Sequence, residues 1–518
     1  MKKLIALLLS VTMIASVFVG CGSKDSGSGE GGVKETLVIG TDADINNLDL
    51  QKQQDQINNI VLKNTHQTLV YFSNEQTFEP GLAKSWEFAD DTHIVFHLRE
   101  DVTFSDGTPF TAEDVVFTYE MALENVVASV LKGMVAVKAV DEYTVEIEIE
   151  TYNNEFVQSL SSVPLSIQSK AAYENGVEDP YYIGTGPYKF DEWIEGEYCR
   201  LTKVEGYWGE SAEEVPEYYA PGVSPNIEFR PYIEASSRVI ALQTGEIDVC
   251  VNPPINELQY LEEDENITVE EKNGTRLFYF AFNTEAKPWD NQTLRQAVAC
   301  AIDRDAVLDA AVYGKGQKQT TILNRGLWSF YDDMEGFDYD VERAKSLMEE
   351  AGYAGGSADK VVLKTSLTYA TSSPYEQIAT VIQANLKEIG IEVSLNPLED
   401  ATLKTECSEG NQELFIWRWN EDSKVDFVYR DLFYTDSPSN YHQYSDAKAD
   451  ELVDVVATEK DEAKRLAASE ELQTYLVDAC PQVPLYIANL VIAYNKNLQG
   501  QNLFGGGNHY WAHAYVTE

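Results

Sequence analysis

Positive charge is what this 518-residue chain has least of: 38 Lys and Arg stand against 86 Asp and Glu, a formal charge of −48. Such a field repels phosphate backbones and anionic headgroups, which excludes nucleic acid as a partner. The acid has two readings, a solvated surface that keeps the protein soluble or a field that draws in cationic ligands. Histidine is also scarce, with 6 in all and no H-E-x-x-H among them. His509 and His513 would share a metal only on a helix, and their aromatic surroundings argue for packing or a strand. The five cysteines beyond Cys21, namely Cys199, Cys250, Cys300, Cys407 and Cys480, contain no C-x-x-C, and an odd set cannot all pair. Cys300 falls in an apolar helical pattern and Cys250 ends a strand-like run, so most read as buried small hydrophobes; one pairing among them stays open.

Catalytic and cofactor motifs are absent at convincing spacing. Gly184-Thr185-Gly186 lacks the third glycine of a dinucleotide fingerprint, and there is no P-loop. Asp42, Asp44 and Asn46 imitate a calcium loop until Asn47 stands where glycine should be. A glycosidase would use two carboxylates at a fixed gap, and nothing in so acidic a chain singles out a pair. No metal and no cofactor is expected.

After the N-terminal segment no apolar run is long enough to span a bilayer, while 44% apolar residues supply a large core. A chain of this length divides into two or three domains. The apolar run over residues 4–20 follows Lys2 and Lys3 and has the length of a signal peptide. It ends in Phe18-Val19-Gly20-Cys21, which resembles a bacterial lipoprotein processing box with Phe18 in place of the usual leucine. That resemblance implies removal of residues 1–20 and lipidation of Cys21, anchoring the protein at the outer face of the cytoplasmic membrane. A secretory leader cut nearby, with Cys21 lost, is the other reading. Residues 21–35 read as a Gly/Ser-rich flexible spacer.

Beyond it the periodicity is mixed. Leu37-Val38-Ile39-Gly40 reads as a buried strand. Ile94, Phe96 and Leu98, and again Val145, Ile147 and Ile149, alternate with polar residues as half-buried strands. Thr111-Ala112-Glu113-Asp114 forms a capping box before the helical spacing of Val115, Val116, Tyr119 and Ala122. Val341, Ala344, Leu347 and Met348 make another helical stripe closed by Gly352. Ile378, Ile382, Leu386 and Ile389 make a third, ending at Gly390 before strand-like Ile391 to Leu395. Helix and strand in succession mean α/β layers.

Several stretches carry a resemblance. Leu82-Ala83-Lys84-Ser85-Trp86, Phe96-His97-Leu98-Arg99, and the run from Phe104-Ser105-Asp106-Gly107-Thr108-Pro109 to Val115 resemble the signature region of bacterial extracellular solute-binding proteins, family 5, the peptide and nickel class. Gly184 to Tyr188, Tyr207-Trp208-Gly209, Gly245-Glu246-Ile247-Asp248, Arg295-Gln296-Ala297, Ala301 to Arg304 and Val483-Pro484-Leu485-Tyr486 extend it in the family's order over nearly the whole mature chain. Each has an ordinary structural role as well, such as the Asp106-Gly107 turn.

The resemblance implies an α/β, two-lobed, hinged periplasmic-binding-protein-like fold with an additional domain inserted in the N-terminal lobe. Its boundaries would be residues 36–75, 181–283 and 489–518 for the first lobe, 76–180 for the inserted domain and 284–488 for the second lobe. It further implies a monomeric receptor that closes on a short peptide, hands it to an ABC permease and breaks no bond. Other solutes, an oligosaccharide or a nickel chelate, fit the same fold, and an exported hydrolase is the rival of a different class. In peptide-binding relatives an aspartate shortly after a tryptophan holds the ligand's ammonium. Trp419-Asn420-Glu421-Asp422 repeats that spacing, which points to Asp422, with Glu421 as the neighbour able to replace it. Relatives often carry Gly before that tryptophan and Asp-Pro soon after. Here Arg418 and Val425-Asp426 stand there. Arg418 either clamps a ligand carboxylate or pairs with a surface acid. Trp328 and Tyr369 are further candidates for the cleft wall.

Overall fold

The computed structural model describes residues 32–518 except 54, 74–76, 213, 332–333, 421–423, 505 and 508. Three larger sheets organise the chain. The first has seven strands, in the order Ile267–Lys272, Leu490–Asn495, Val249–Val251, Thr36–Thr41, Asn226–Pro231, Tyr198–Lys203 and Tyr188–Ile194. Its central strand, Thr36–Thr41, runs parallel to both neighbours. Period-2 alternation sends Leu37 and Ile39 to the main core of this lobe and Val38 to a second layer under the helix Ala235–Gln243, so both faces are covered.

The second sheet has six strands, Gly316–Lys318, Gln482–Ala488, Arg276–Phe282, Leu414–Asn420, Leu363–Ala370 and Ile391–Leu398. It owns a separate core in which Ala344 and Met348 of the helix Val341–Glu350, and Ile378, Ile382 and Leu386 of Tyr375–Glu388, supply their apolar stripes. Two large cores mean two lobes.

A four-stranded antiparallel sheet, Ala83–Phe88, His93–Leu98, Thr144–Ile149 and Met134–Asp141, forms the additional domain. Ile94, Phe96, Val145 and Ile147 bury into the same continuous core as Leu37 and Ile39, which attaches it to the first lobe. The helix Ala112–Leu123 covers it, opened by the Thr111 amide donating to the Asp114 carboxylate at 2.8 Å. The five cysteines are all buried and free.

The chain crosses from the first sheet to the second between Lys272 and Arg276, earlier than the 283/284 boundary expected. Leu277 to Phe282 is a strand buried on both faces between Gln482–Ala488 and Leu414–Asn420, so it belongs wholly to the second core. The return crossing is abrupt, with Asn489 alone separating the strand Gln482–Ala488 from Leu490–Asn495.

Candidate functional site

The two crossings put the ends of several strands at the seam between lobes, and a cavity of about 530 Å³ opens there. The first lobe lines it with Asp42 and Asp44, just past the central strand, and with Asp55, just before the helix Gln56–Leu62. The second lobe contributes Arg276, Phe278, Pro374 and Asn420. A second hollow of about 320 Å³ lies between the first lobe, the additional domain and Asn420 with Lys424; Lys63, His66, Tyr71 and Tyr218 also line it. Asn420 therefore borders both spaces, held by Thr275 Oγ1 donating to its side-chain oxygen at 2.9 Å.

Charge is divided across the 530 Å³ cavity. Among the described residues three carboxylates stand on one wall and one guanidinium on the other. The Arg276 side chain has no ion-pair or hydrogen-bond partner among the described residues, and it opens a strand that is otherwise apolar from Leu277 to Phe282. Its side chain is exposed to the cavity; partial desolvation by the surrounding protein first, and then the Arg418 guanidinium, hold its pKa below the ordinary arginine value, while Tyr375 and then Asp42 oppose that shift. Arginine keeps its charge under such a shift. An unpaired guanidinium in a cavity accepts a planar anion, and carboxylates opposite accept a cation.

Arg418 is engaged elsewhere. It donates to Tyr375 Oη at 2.7 Å and to Asp400 at 2.9 Å, the surface-acid pairing that its sequence also allowed. Trp419 points to the other face of the same strand and packs near Phe427, with ring centroids 6.1 Å apart. Tyr369 is buried in the second core. Trp328 lies at the seam between the additional domain and the second lobe, where its indole donates to Glu155 at 2.9 Å. Asp422, Glu421 and Cys21 fall outside the described residues. The structure thus brings Asn420, the residue between Trp419 and Glu421, to the cavity and leaves Arg418, Trp419, Tyr369 and Trp328 off its lining.

Arg276, Asp42, Asp44 and Asp55 were not singled out as ligand contacts by their sequence. Arg276 carries a faint signal, a lone cation at the mouth of a wholly apolar strand after Gly274. Asp42 and Asp44 were visible only as a broken calcium loop. Among the described residues no group of three or more His, Cys, Asp or Glu side chains is placed to hold a metal ion. His509 borders the cavity but is buried and not on a helix, and burial lowers its pKa to about 3, so it stays neutral. No helix among the described residues is long and apolar enough to cross a membrane.

Known proteins share this architecture. DdpA of Escherichia coli, named as a "Probable D,D-dipeptide-binding periplasmic protein", is 26% identical over 493 residues, covering 90% of this chain and 91% of its own. The glutathione-binding protein GsiB of the same species is 26% identical over 484 residues with the same two coverages. Among solved structures, DppA of Helicobacter pylori, an ABC transporter-associated periplasmic binding protein in complex with the peptide STSA, superposes with a TM-score of 0.75 at 25% identity, over 93% of this chain and 98% of its own. NikA of Brucella suis, in complex with Fe(III)-EDTA, superposes at 0.83 with 20% identity over 94% and 100%, a likeness of fold. The family model for bacterial extracellular solute-binding proteins, family 5, matches residues 77–441. With that match spanning most of a two-lobed chain around an interlobe cavity, the protein belongs to the family 5 extracellular solute-binding proteins of ABC importers, which bind their solutes and are not enzymes.

Proposed function

We propose that this protein is a lipid-anchored receptor that captures short peptides between its lobes and delivers them intact to an ABC permease. The observation that carries the reading is the divided charge of the 530 Å³ cavity, with Arg276 facing Asp42, Asp44 and Asp55. A short peptide at neutral pH is a zwitterion, and its two ends match the two walls. Removing both charges from water is costly unless each meets a counter-charge, so a ligand that touches both lobes stabilises the closed arrangement. The names of DdpA and GsiB, which point to D,D-dipeptides and to glutathione, agree with that class. By family resemblance Asp422 takes the ligand's ammonium, with Glu421 beside it; in the sequence Asp422 comes two residues after Asn420, which lines the cavity. Arg276 takes the carboxylate. Cys21 carries the lipid.

Mass spectrometry of solute released from the purified, folded protein tests the reading directly. A peptide is the expected result. A sugar or a metal chelate would replace the ligand class while keeping the fold, and product formation from incubated peptides would overturn delivery without chemistry.

A further inference from the structure

At the seam between the additional domain and the second lobe, away from the cavity, two carboxyl side chains are buried against each other. Glu155 comes from the additional domain and is 1% exposed; Asp426, in the first turn of the helix Val425–Phe433, is 6% exposed. Every polar contact of the Glu155 carboxylate crosses the seam. One carboxylate oxygen accepts from the Arg465 guanidinium at 2.7 Å and from the Trp328 indole at 2.9 Å. The other accepts from the Asp426 backbone amide at 2.8 Å. Asn153 completes the cluster, its side-chain amide donating to Asp426 Oδ2 at 2.8 Å.

The charges here do not balance. Two carboxylates face one guanidinium, and among the described residues no second basic side chain contacts either of them. Tyr429, on the same helix as Asp426, donates or accepts with Ser469 at 3.2 Å and brings no positive charge. Lys460, at the rim, is paired with Asp91. With both acids ionised the closed seam holds a net negative charge out of water, and taking up a proton is the cheaper arrangement. Burial and the Asp426 charge raise the Glu155 pKa well above the carboxylate range, with Arg465 opposing.

Among the described residues the lobes are joined covalently only through the crossings near 272–276 and 488–490. The seam contacts, including the Asn154 amide donating to the Ala457 carbonyl at 3.0 Å, are non-covalent, and in the opening and closing proposed above they are free to part. Glu155 and Asp426 then regain water.

We propose that this seam is a proton-linked latch: closing the lobes takes one proton from solvent and lodges it between the carboxyl groups of Glu155 and Asp426, and opening returns it. A site that binds its proton more tightly when closed favours closure fully below its open-state pKa. That bias fades as pH rises through the closed-state value. Capture is thereby tightened in acid and loosened in alkali, whatever solute fills the cavity. The latch rests on the opening and closing proposed above but not on the identity of the ligand.

Hydrogen exchange of the full-length protein without ligand tests it, with protection factors corrected for intrinsic rate across pH about 5 to 9. In the native protein, protection at residues 425–428 and at the Asn154 amide is expected to fall tenfold or more as pH rises, while strand 36–41 stays constant. Asp426→Asn keeps an acceptor for Asn153, adds a donor toward Glu155 and removes one negative charge, so its seam should stay protected at every pH. Glu155→Gln is the second variant, expected to flatten the profile from the other side. A native profile without pH dependence overturns the latch, as does an unchanged profile in both variants.

Discussion

Gly274 lies so close to Ala488 that a β-carbon built on it would stand 1.9 Å from the Ala488 carbonyl oxygen. These residues belong to the two segments that pass between the lobes, so the crossings run side by side as one narrow joint. The approach requires a residue without a side chain. Gly274→Ala should force the two segments apart and cost about 1–3 kcal/mol of stability, the range for overpacking at a tight contact. Denaturant unfolding measures this, and a variant within about 0.5 kcal/mol of the native protein would show that the joint yields freely.

Arg276 makes a different kind of claim, because it has no polar partner among the described residues to lose. Arg276→Gln should therefore leave the melting temperature nearly unchanged while weakening capture of peptides with a free carboxyl terminus by more than tenfold. Carboxy-amidated peptides should bind native and variant protein alike. Titration calorimetry with one peptide in its free and amidated forms separates a lost charge pair, a factor of ten being about 1.4 kcal/mol, from a general distortion of the cavity.

Asp422→Asn probes the opposite end of the ligand. A buried ammonium paired with a carboxylate loses the charge term and keeps a hydrogen bond when the acid becomes an amide. Affinity should fall more than tenfold for peptides with a free amino terminus and hardly at all for N-acetylated ones. If Glu421 substitutes for Asp422, the double change Glu421→Gln with Asp422→Asn gives the loss that the single one lacks.

The fold was legible where the hydrophobic period was clean. Ile94, Phe96 and Leu98 announced a half-buried strand, and Ile378, Ile382 and Leu386 a helix, because one buried face imposes its spacing on the sequence. The lobe boundary was less legible because Leu277 to Phe282 is apolar on both faces, and such a run does not say which of two cores it enters. The cavity was hardest to read. Its walls come from chain ends near 42, 55, 276 and 420, and nothing in local spacing tells that these meet. Arg418 shows the reverse problem, since one residue type serves equally as a ligand clamp and as the partner of Asp400.

Arg465 holds the Glu155 carboxylate and also lies over the Trp328 ring, 4.0 Å from its centroid. Arg465→Met keeps much of the stacking volume but removes the only described cation beside a buried acid. Breaking such a pair costs about 3–5 kcal/mol where the remaining charge cannot be neutralised. Here Glu155 can neutralise itself by protonation, so the loss should be large at alkaline pH and shrink as pH falls. Unfolding of native and variant protein at two pH values checks the sign; equal losses at both would mean that Arg465 acts through packing alone.

The cysteines allow a test of burial and of the proposed anchor in one titration. Cys199, Cys407 and Cys480 have thiol pKa values pushed up to about 12 and Cys250 to about 11, with burial the leading cause in each, and Cys300 is also raised. The thiolate is the reactive form, so these five should resist a thiol reagent near neutral pH while the protein is folded. Unfolding should release all of them. The chain has 6 cysteines in total. If Cys21 carries a thioether-linked lipid, protein taken from membranes yields five reactive thiols on denaturation, and Cys21→Ser also yields five but releases the protein into the medium. Six thiols from the membrane-derived native protein would mean that Cys21 is unmodified, and would remove the anchor from the proposed function without touching the cavity.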